Sequence, residues 1–345
     1  YRARSVANSA AAGGAEVLIF TEPGYRYGTA KEGLPRKHAS DIGVTTVHLA
    51  PVSVHRNDVL EWVAATTAIL KEQFSLEGIG AVHSIADVPL SIAAALAARA
   101  CGLSFTLDIG SIPSAGGEAR DGWASTERFA ASWSRLENVA RSADRVIIRS
   151  QTLAAAVELQ APGLAFEIVP DAIPDIFVGA GSASIRDIRR ELGLADDRPL
   201  IGIIGETNYG QGLLDVIRAL PHVRKVIADA TVVYCGPGRI GQTLRRTAAL
   251  ESIGDGLIVP DGYTRQRLAQ YLSAFAVTVF PQVEGFAGMA TPFEQQVALA
   301  LGTPIVAVDS LWSTEFCASH PSVRIVTKGD LYELANAIVN SIAPS

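Results

Sequence analysis

The sequence predicts an α/β protein of two Rossmann-like domains with parallel sheets, and three observations predict it. Short continuous apolar runs recur along the 345 residues, segments of helical period separate them, and the series runs twice with a Gly/Ser-rich connector between. That length exceeds one ordinary core and suits two of about 150 residues each. A composition of 48% hydrophobic and 19% charged residues belongs to a folded chain rather than a disordered one.

The opening stretch "YRARSVANSAAAGG" reads as a helix ended by glycines, and the strand "AEVLIFTE" follows at once. A parallel sheet normally opens with a strand, so a first strand and its loop are expected to be missing ahead of this helix. The first-domain strands are read at 16–22, 45–51, 80–86, 104–110, 145–150 and 166–172, with helices at 58–74, 132–143 and 151–160. The first domain is placed at 1–178 and a linker at 179–196, within a connector that starts near 175 and is most linker-like in "VGAGSAS" (178–184). The second domain, 197–345, carries strands at 200–205, 231–236, 256–262, 277–282, 303–309 and 323–328, and closes on the helix "DLYELANAIVNSI" (330–342). Ligands of open parallel sheets bind beyond the carboxyl ends of the strands, so the expected site is a cleft between two such domains.

Composition excludes several functions. A net charge of -6 offers no field for a polyanion, so nucleic acid is not an expected partner. Cys101, Cys235 and Cys317 lie far apart without a CxxC, which argues against zinc and a disulfide framework and for a reducing, cytoplasmic compartment. No run of about 18 apolar residues is present, so no bilayer span is expected. The basic stretches "YRAR" and "GLPRKHAS" (33–40) could rest on a membrane surface, against the plainer reading of a solvated face. Oligomeric state is not legible.

Two glycine-rich loops stand out. "CGPGRIG" (235–241) has Gly236, Gly238 and Gly241 in the GxGxxG spacing, with Asp255 and Asp261 as candidate ribose acids. It follows the second strand of its domain rather than the first, and Pro237 sits in a spacer position, so a nicotinamide reading is weak. "GIIGETNYGQG" (202–212) is a strand running into a loop shaped for phosphate, yet its first residue past Gly205 is Glu206. No Walker or GxSxG motif occurs. Asp108, at the carboxyl end of "SFTLDIG", is a candidate functional carboxylate or a helix cap. His83, at the end of "GAVHSIA", is a candidate cleft residue or a structural one. The stretch "GGEARDGWAST" (116–126) suits a cleft-lining loop or a surface loop alike.

Taken in order, these pieces resemble the GT-B glycosyltransferases of family 4, the group 1 type. The resemblance lies in "GAVHSIADVPLSIAAALAARACGLSFTLDIGS", "RLENVARSADRVIIRSQTLAAAV" and "FEIVPDAIPDIF" of the first half. In the second half it lies in "IGETNYGQGLLDVIRAL", "ATVVYCGPG" and "ATPFEQQVALALGTPIVAVD". It implies a retaining transfer of a sugar from a UDP- or GDP-type donor to a small-molecule or glycan acceptor in the inter-domain cleft, with no metal or other cofactor. On the acceptor side it implies Asp108 and His83 as charge-stabilising or positioning groups. On the donor side it implies Gly205, Glu206, Gln211, Gly236, Gly238, Glu284, Thr291 and Pro292. No DxD is present to hold a metal.

Departures fall at the family's charged positions. The family places an Arg where Glu206 stands and a Lys where Gln211 stands; its ribose glutamate falls on Val297, and a basic residue of relatives falls on Glu294. One charge pair at about 4 Å is worth about 4 kcal/mol at an effective dielectric near 20. An exposed helix start attracts an anion by only about 0.3–1 kcal/mol. The loop thus keeps its shape with its charge reversed. Arg120, Arg239, Arg245 or Arg265 could supply the missing cation. The alternative reading is a catalytically degenerate relative that acts as a binding or complex-forming subunit.

Overall fold

The computed structural model describes residues 2–21, 23, 36–39, 44–54, 58–85, 88–110, 126–170, 173, 177, 182–194, 197–204, 212–236, 238–261, 263–264, 267–281, 293–309, 315 and 320–343. The chain divides into two compact units, the first within residues 1–172 and the second over 173–345.

The first unit runs α1 (Arg2–Ala12), β1 (Val17–Thr21), β2 (Arg36–Ala39), β3 (Val44–His48), α2 (Val59–Leu76), β4 (Ala81–Ile85), α3 (Val88–Ala100), β5 (Ser104–Ile109), α4 (Glu127–Ser142), β6 (Arg145–Ile148), α5 (Gln151–Gln160) and β7 (Glu167–Ile168). Its strands form two sheets among the described residues, β1-β3-β2 and β4-β5-β6-β7. The second of these is parallel throughout. The first is mixed, because "RKHA", read from sequence as part of a solvated basic stretch, pairs antiparallel with β3 in the register Arg36↔His48. A basic four-residue strand carries too little apolar pattern to be seen, and here pairing decides its conformation.

Helix starts follow their capping residues. Thr126 accepts from the Phe129 N–H at 3.2 Å to open α4, and Ser150 accepts from the Leu153 N–H at 3.1 Å to open α5. The apolar stretch ending in Arg99 forms α3, whose Ala93, Ala97 and Ala98 are fully buried. No helix among the described residues is long and apolar enough to cross a membrane.

The second unit runs α6 (Ser182–Glu191), β8 (Leu200–Ile204), α7 (Leu213–Arg224), β9 (Thr231–Cys235), α8 (Gly238–Leu250), β10 (Leu257–Ile258), α9 (Leu268–Ala274), β11 (Val277–Phe280), α10 (Phe293–Ala300), β12 (Ile305–Val308), β13 (Val323–Val326) and α11 (Leu331–Ile342). Among the described residues the strands make one six-stranded sheet, β10-β9-β8-β11-β12-β13, with every pair parallel. In order of appearance that is 3-2-1-4-5-6, the doubly wound arrangement of dinucleotide-binding folds.

Both sheet faces are covered, which is why the strands read as unbroken apolar runs. Ile201, Ile203, Val232, Val277 and Val306 pack with residues of α7, α8 and α11. Leu200, Ile204, Val233, Phe280 and Ile305 pack with residues of α6, α9 and α10. Helix α6 begins inside the stretch read as most linker-like, 178–184, since Ser182 to Ser184 lie within it, while 178–181 are outside the described residues. Its Ile188 is buried in the core and Ile185 packs beside it, a helical spacing hidden in a polar stretch. Arg267 secures the helix, donating to the Glu191 carboxylate at 3.0 and 2.6 Å.

One glycine of β8 is dictated by packing. A Cβ at Gly202 would lie 1.9 Å from a ring carbon of Phe275. Gly202→Ala is expected to destabilise this unit by about 1–3 kcal/mol through overpacking. Chemical denaturation of that variant, with Phe275→Leu added to make room, checks the cause, because the second change should recover part of the loss.

Candidate functional site

In the first unit the site is assembled by strand register. His83 pairs with Thr106, Ile85 with Asp108, and Asp108 with Ile147. Partners in adjacent parallel strands share a face and side chains alternate, so His83, Asp108 and Arg149, one residue past β6, come to one face near the carboxyl ends of three neighbouring strands. The side chains meet there. Arg149 Nε donates to Asp108 Oδ1 at 2.9 Å, Arg149 Nη2 donates to Asp108 Oδ2, and Arg149 Nη1 donates to the Val169 carbonyl at 3.1 Å. His83 Nε2 lies 3.3 Å from Asp108 Oδ2.

Burial separates the roles. Asp108 is fully buried and Arg149 is 5% exposed, whereas the His83 side chain keeps 32% of its surface open. A carboxylate at this depth needs a counter-ion, and a two-bond fork from a guanidinium supplies charge and geometry together. Asp108 therefore lies beneath the surface and His83 is the member that meets solvent. The Asp108 carboxylate is engaged by Arg149 and His83, and the segment 111–125 that it would cap as a helix start lies outside the described residues. Arg149 was missed in the sequence. The available signal was an opposite charge closing each of two apolar strands, "SFTLD" and "RVIIR".

In the second unit the central strands β8 and β11 are where the strand order reverses, the usual place for a ligand in this sheet. The segment after β8 carries Gly205, Glu206 and Gln211, and that after β11 carries Glu284, Thr291 and Pro292; all six lie outside the described residues. Their anchors are described. Ile204 and Gly212 bracket the first loop, Pro281 and Phe293 the second. Gly212 enters α7 at φ 85°, a left-handed conformation that a side chain would strain. It offers no side chain to cap α7, so the N–H groups of the first turn point toward the end of the sheet where the loop begins.

Gly236 follows β9, and Gly238 is the first residue of α8, which puts "CGPGRIG" at the same end of the sheet. Burial pushes the neighbouring Cys235 thiol far above its usual range, with only partial opposition from the Arg267 charge, so it is not a nucleophile. Among the cations proposed to replace the absent pair, Arg120 and Arg265 lie outside the described residues, as does the side chain of Arg239. Arg245 is turned to the Val259 carbonyl at 3.1 Å. Glu294 stands in the first turn of α10. Val297 is fully buried in the core with Ile204 and Phe280. Among the described residues no cluster of His, Cys, Asp and Glu suited to a metal is found.

Comparison with known proteins agrees with this architecture. Residues 198–343 match the family described as glycosyl transferases group 1. A 2-deoxystreptamine glucosyltransferase of Streptomyces kanamyceticus is 24% identical over 161 residues, 46% of this chain and 40% of that one, so the chain matches well under half of that relative's length. Among solved structures, sucrose-phosphate synthase of Thermosynechococcus elongatus superposes with a TM-score of 0.75 at 17% identity, covering 99% of this chain and 83% of the other. The Anabaena protein HepE, solved with UDP and glucose, gives a TM-score of 0.66 at 16% identity, covering 88% and 77%. The fold is GT-B. The match to the group 1 glycosyltransferases lies in the second unit and spans under half of the chain.

Proposed function

We propose that this protein is a retaining glycosyltransferase that moves a sugar from a nucleotide diphosphate of the UDP or GDP type onto a small-molecule or glycan acceptor, without a metal cofactor, in a reducing cytoplasmic compartment. The observation that carries the reading is the sheet order of the second unit. It directs the chain after β8, β9 and β11 out at one end, with the start of α7, to which Gly212 gives no side-chain cap, among them. Such an end suits the diphosphate of a leaving nucleotide, whose growing negative charge fixed N–H dipoles stabilise. HepE, which shares the fold, was solved with UDP and glucose. His83 is the acceptor-side group in this reading, held by Asp108. No carboxylate is assigned as a nucleophile, and catalysis is chiefly positioning together with leaving-group stabilisation.

Isothermal titration of the protein with UDP, GDP, ADP and UDP-glucose at low salt tests the reading. The expected result is binding of a UDP- or GDP-type ligand in the micromolar range, about 8 kcal/mol. Absence of binding by every nucleotide diphosphate overturns it. One observation favours the second reading, a degenerate relative that serves as a binding subunit. With Glu206, Gln211 and Glu294 at family charge positions, the site has lost its basic pair, and Val297 is sealed in the core. Under that reading no nucleotide binds while the fold stays intact.

A further inference from the structure

We infer that β1 and β4 of the first unit receive one further strand between them, parallel to both, apolar throughout and joined ahead of α1. Each is bonded on one side alone among the described residues, β1 to β3 and β4 to β5. An unpaired edge is a row of N–H and C=O groups that a covered sheet must close with another strand. The helices bring these two edges together. Phe74 of α2 packs edge-on against Phe20 of β1, ring centroids 5.5 Å apart, and the same helix packs along α3, which lies on β4.

The second unit supplies the template within the same chain. Its first strand, β8, lies between β9 and β11, and both of these flanking strands are buried at every position. By order in the chain, their counterparts in the first unit are β1 and β4. There burial fails: every residue of "VLIFT" in β1 is half-buried, and in β4 only Ser84 is buried. Removing β8 from the second sheet would leave β10-β9 apart from β11-β12-β13. The first unit shows that division, β3-β1 apart from β4-β5-β6-β7, with β2 added outside.

The crossover that such a strand needs is already in place. A parallel neighbour of β1 must be joined to it by a dozen or more residues, usually through a helix. Helix α1 lies against β1 and β3, buries Ala7 and leads into β1 through residues 13–16, as α7 stands between β8 and β9. A strand paired on both sides and covered on both faces calls for Val, Ile or Leu at each position. Parallel strands share their carboxyl end, so this one finishes beside Thr21 and Ile85, and its loop reaches the end of the sheet that carries His83, Asp108 and Arg149. The strand is required whether or not a nucleotide binds.

Hydrogen exchange tests this on the 345-residue protein and on two forms extended ahead of Tyr1. One extension is a short strand of Val and Ile with a Gly-Ser turn; the other has Pro at alternate strand positions, which removes its donors. In the unextended protein the amides of β1 and β4 are expected to exchange on the order of tenfold faster than those of β9 and β11. The Val/Ile extension should slow both strands together, and the Pro-bearing one neither. Amides of β1 and β4 already as slow as those of β9 and β11 in the unextended protein overturn the inference, even if an extended form fails to fold. Slowing of neither strand, or of one alone, by the Val/Ile extension overturns it too, since addition at a single edge needs no place between two.

Discussion

Replacing either member of the Asp108–Arg149 pair by alanine is expected to lower the stability of the first unit by about 3–5 kcal/mol. Each change strands one charge at a depth where water does not replace the lost partner, since Asp108 is fully buried and Arg149 is 5% exposed. His83 could relieve a stranded Asp108, which places Arg149→Ala toward the lower end of that range. The double variant Asp108→Leu, Arg149→Met removes both charges and keeps volume, and should lose far less than the sum of the single changes. Urea denaturation followed by tryptophan fluorescence in a Trp312→Phe background reads this unit, because Trp62 and Trp133 are buried in it and Trp312 belongs to the second unit. Single variants that each cost under about 1 kcal/mol would show that the pair is solvated and energetically like a surface ion pair.

What could be read in the sequence depended on whether the deciding interaction was local. The strands of the second unit were legible because a sheet covered on both faces needs unbroken apolar runs such as "LIGIIG" and "TVVYC". Helix α6 was not, because its Gly- and Ser-rich start and its arginines outweigh the few apolar residues that it buries. Strand β2 was hidden for a related reason: its conformation comes from its partner β3 and not from its own residues. At the site, the charge closing β5 was recognised and the one closing β6 was passed over. Each is unremarkable alone, and only the adjacency of β5 and β6 makes them a pair. The position of Val297 could be counted from the glycine and proline that follow it, yet its burial in the core needed the packing of α10.

The variant Glu206→Arg, Gln211→Lys is expected to bind UDP more tightly than the native protein, on the order of tenfold to a thousandfold. The upper figure is one charge pair at about 4 Å and an effective dielectric near 20, about 4 kcal/mol, and the lower reflects solvent and salt screening. The frame for such a site is present in the described residues. Ile204 ends a central strand at the point where strand order reverses, and Gly212 turns the chain into α7 without giving it a side-chain cap. That start attracts a phosphate by only about 0.3–1 kcal/mol when exposed, less than a nearby carboxylate repels it. Titration at low and at 0.15 M salt separates the terms, because an added charge contact must weaken as salt rises while backbone and packing contacts hold. If the native protein already binds UDP in the micromolar range and the variant gains nothing, another cation serves the diphosphate, and the side chain of Arg239 in the first turn of α8 is the first to test. If the native protein binds none and the variant acquires binding that salt weakens, the loop retains the geometry of a donor site and Glu206 is what closes it.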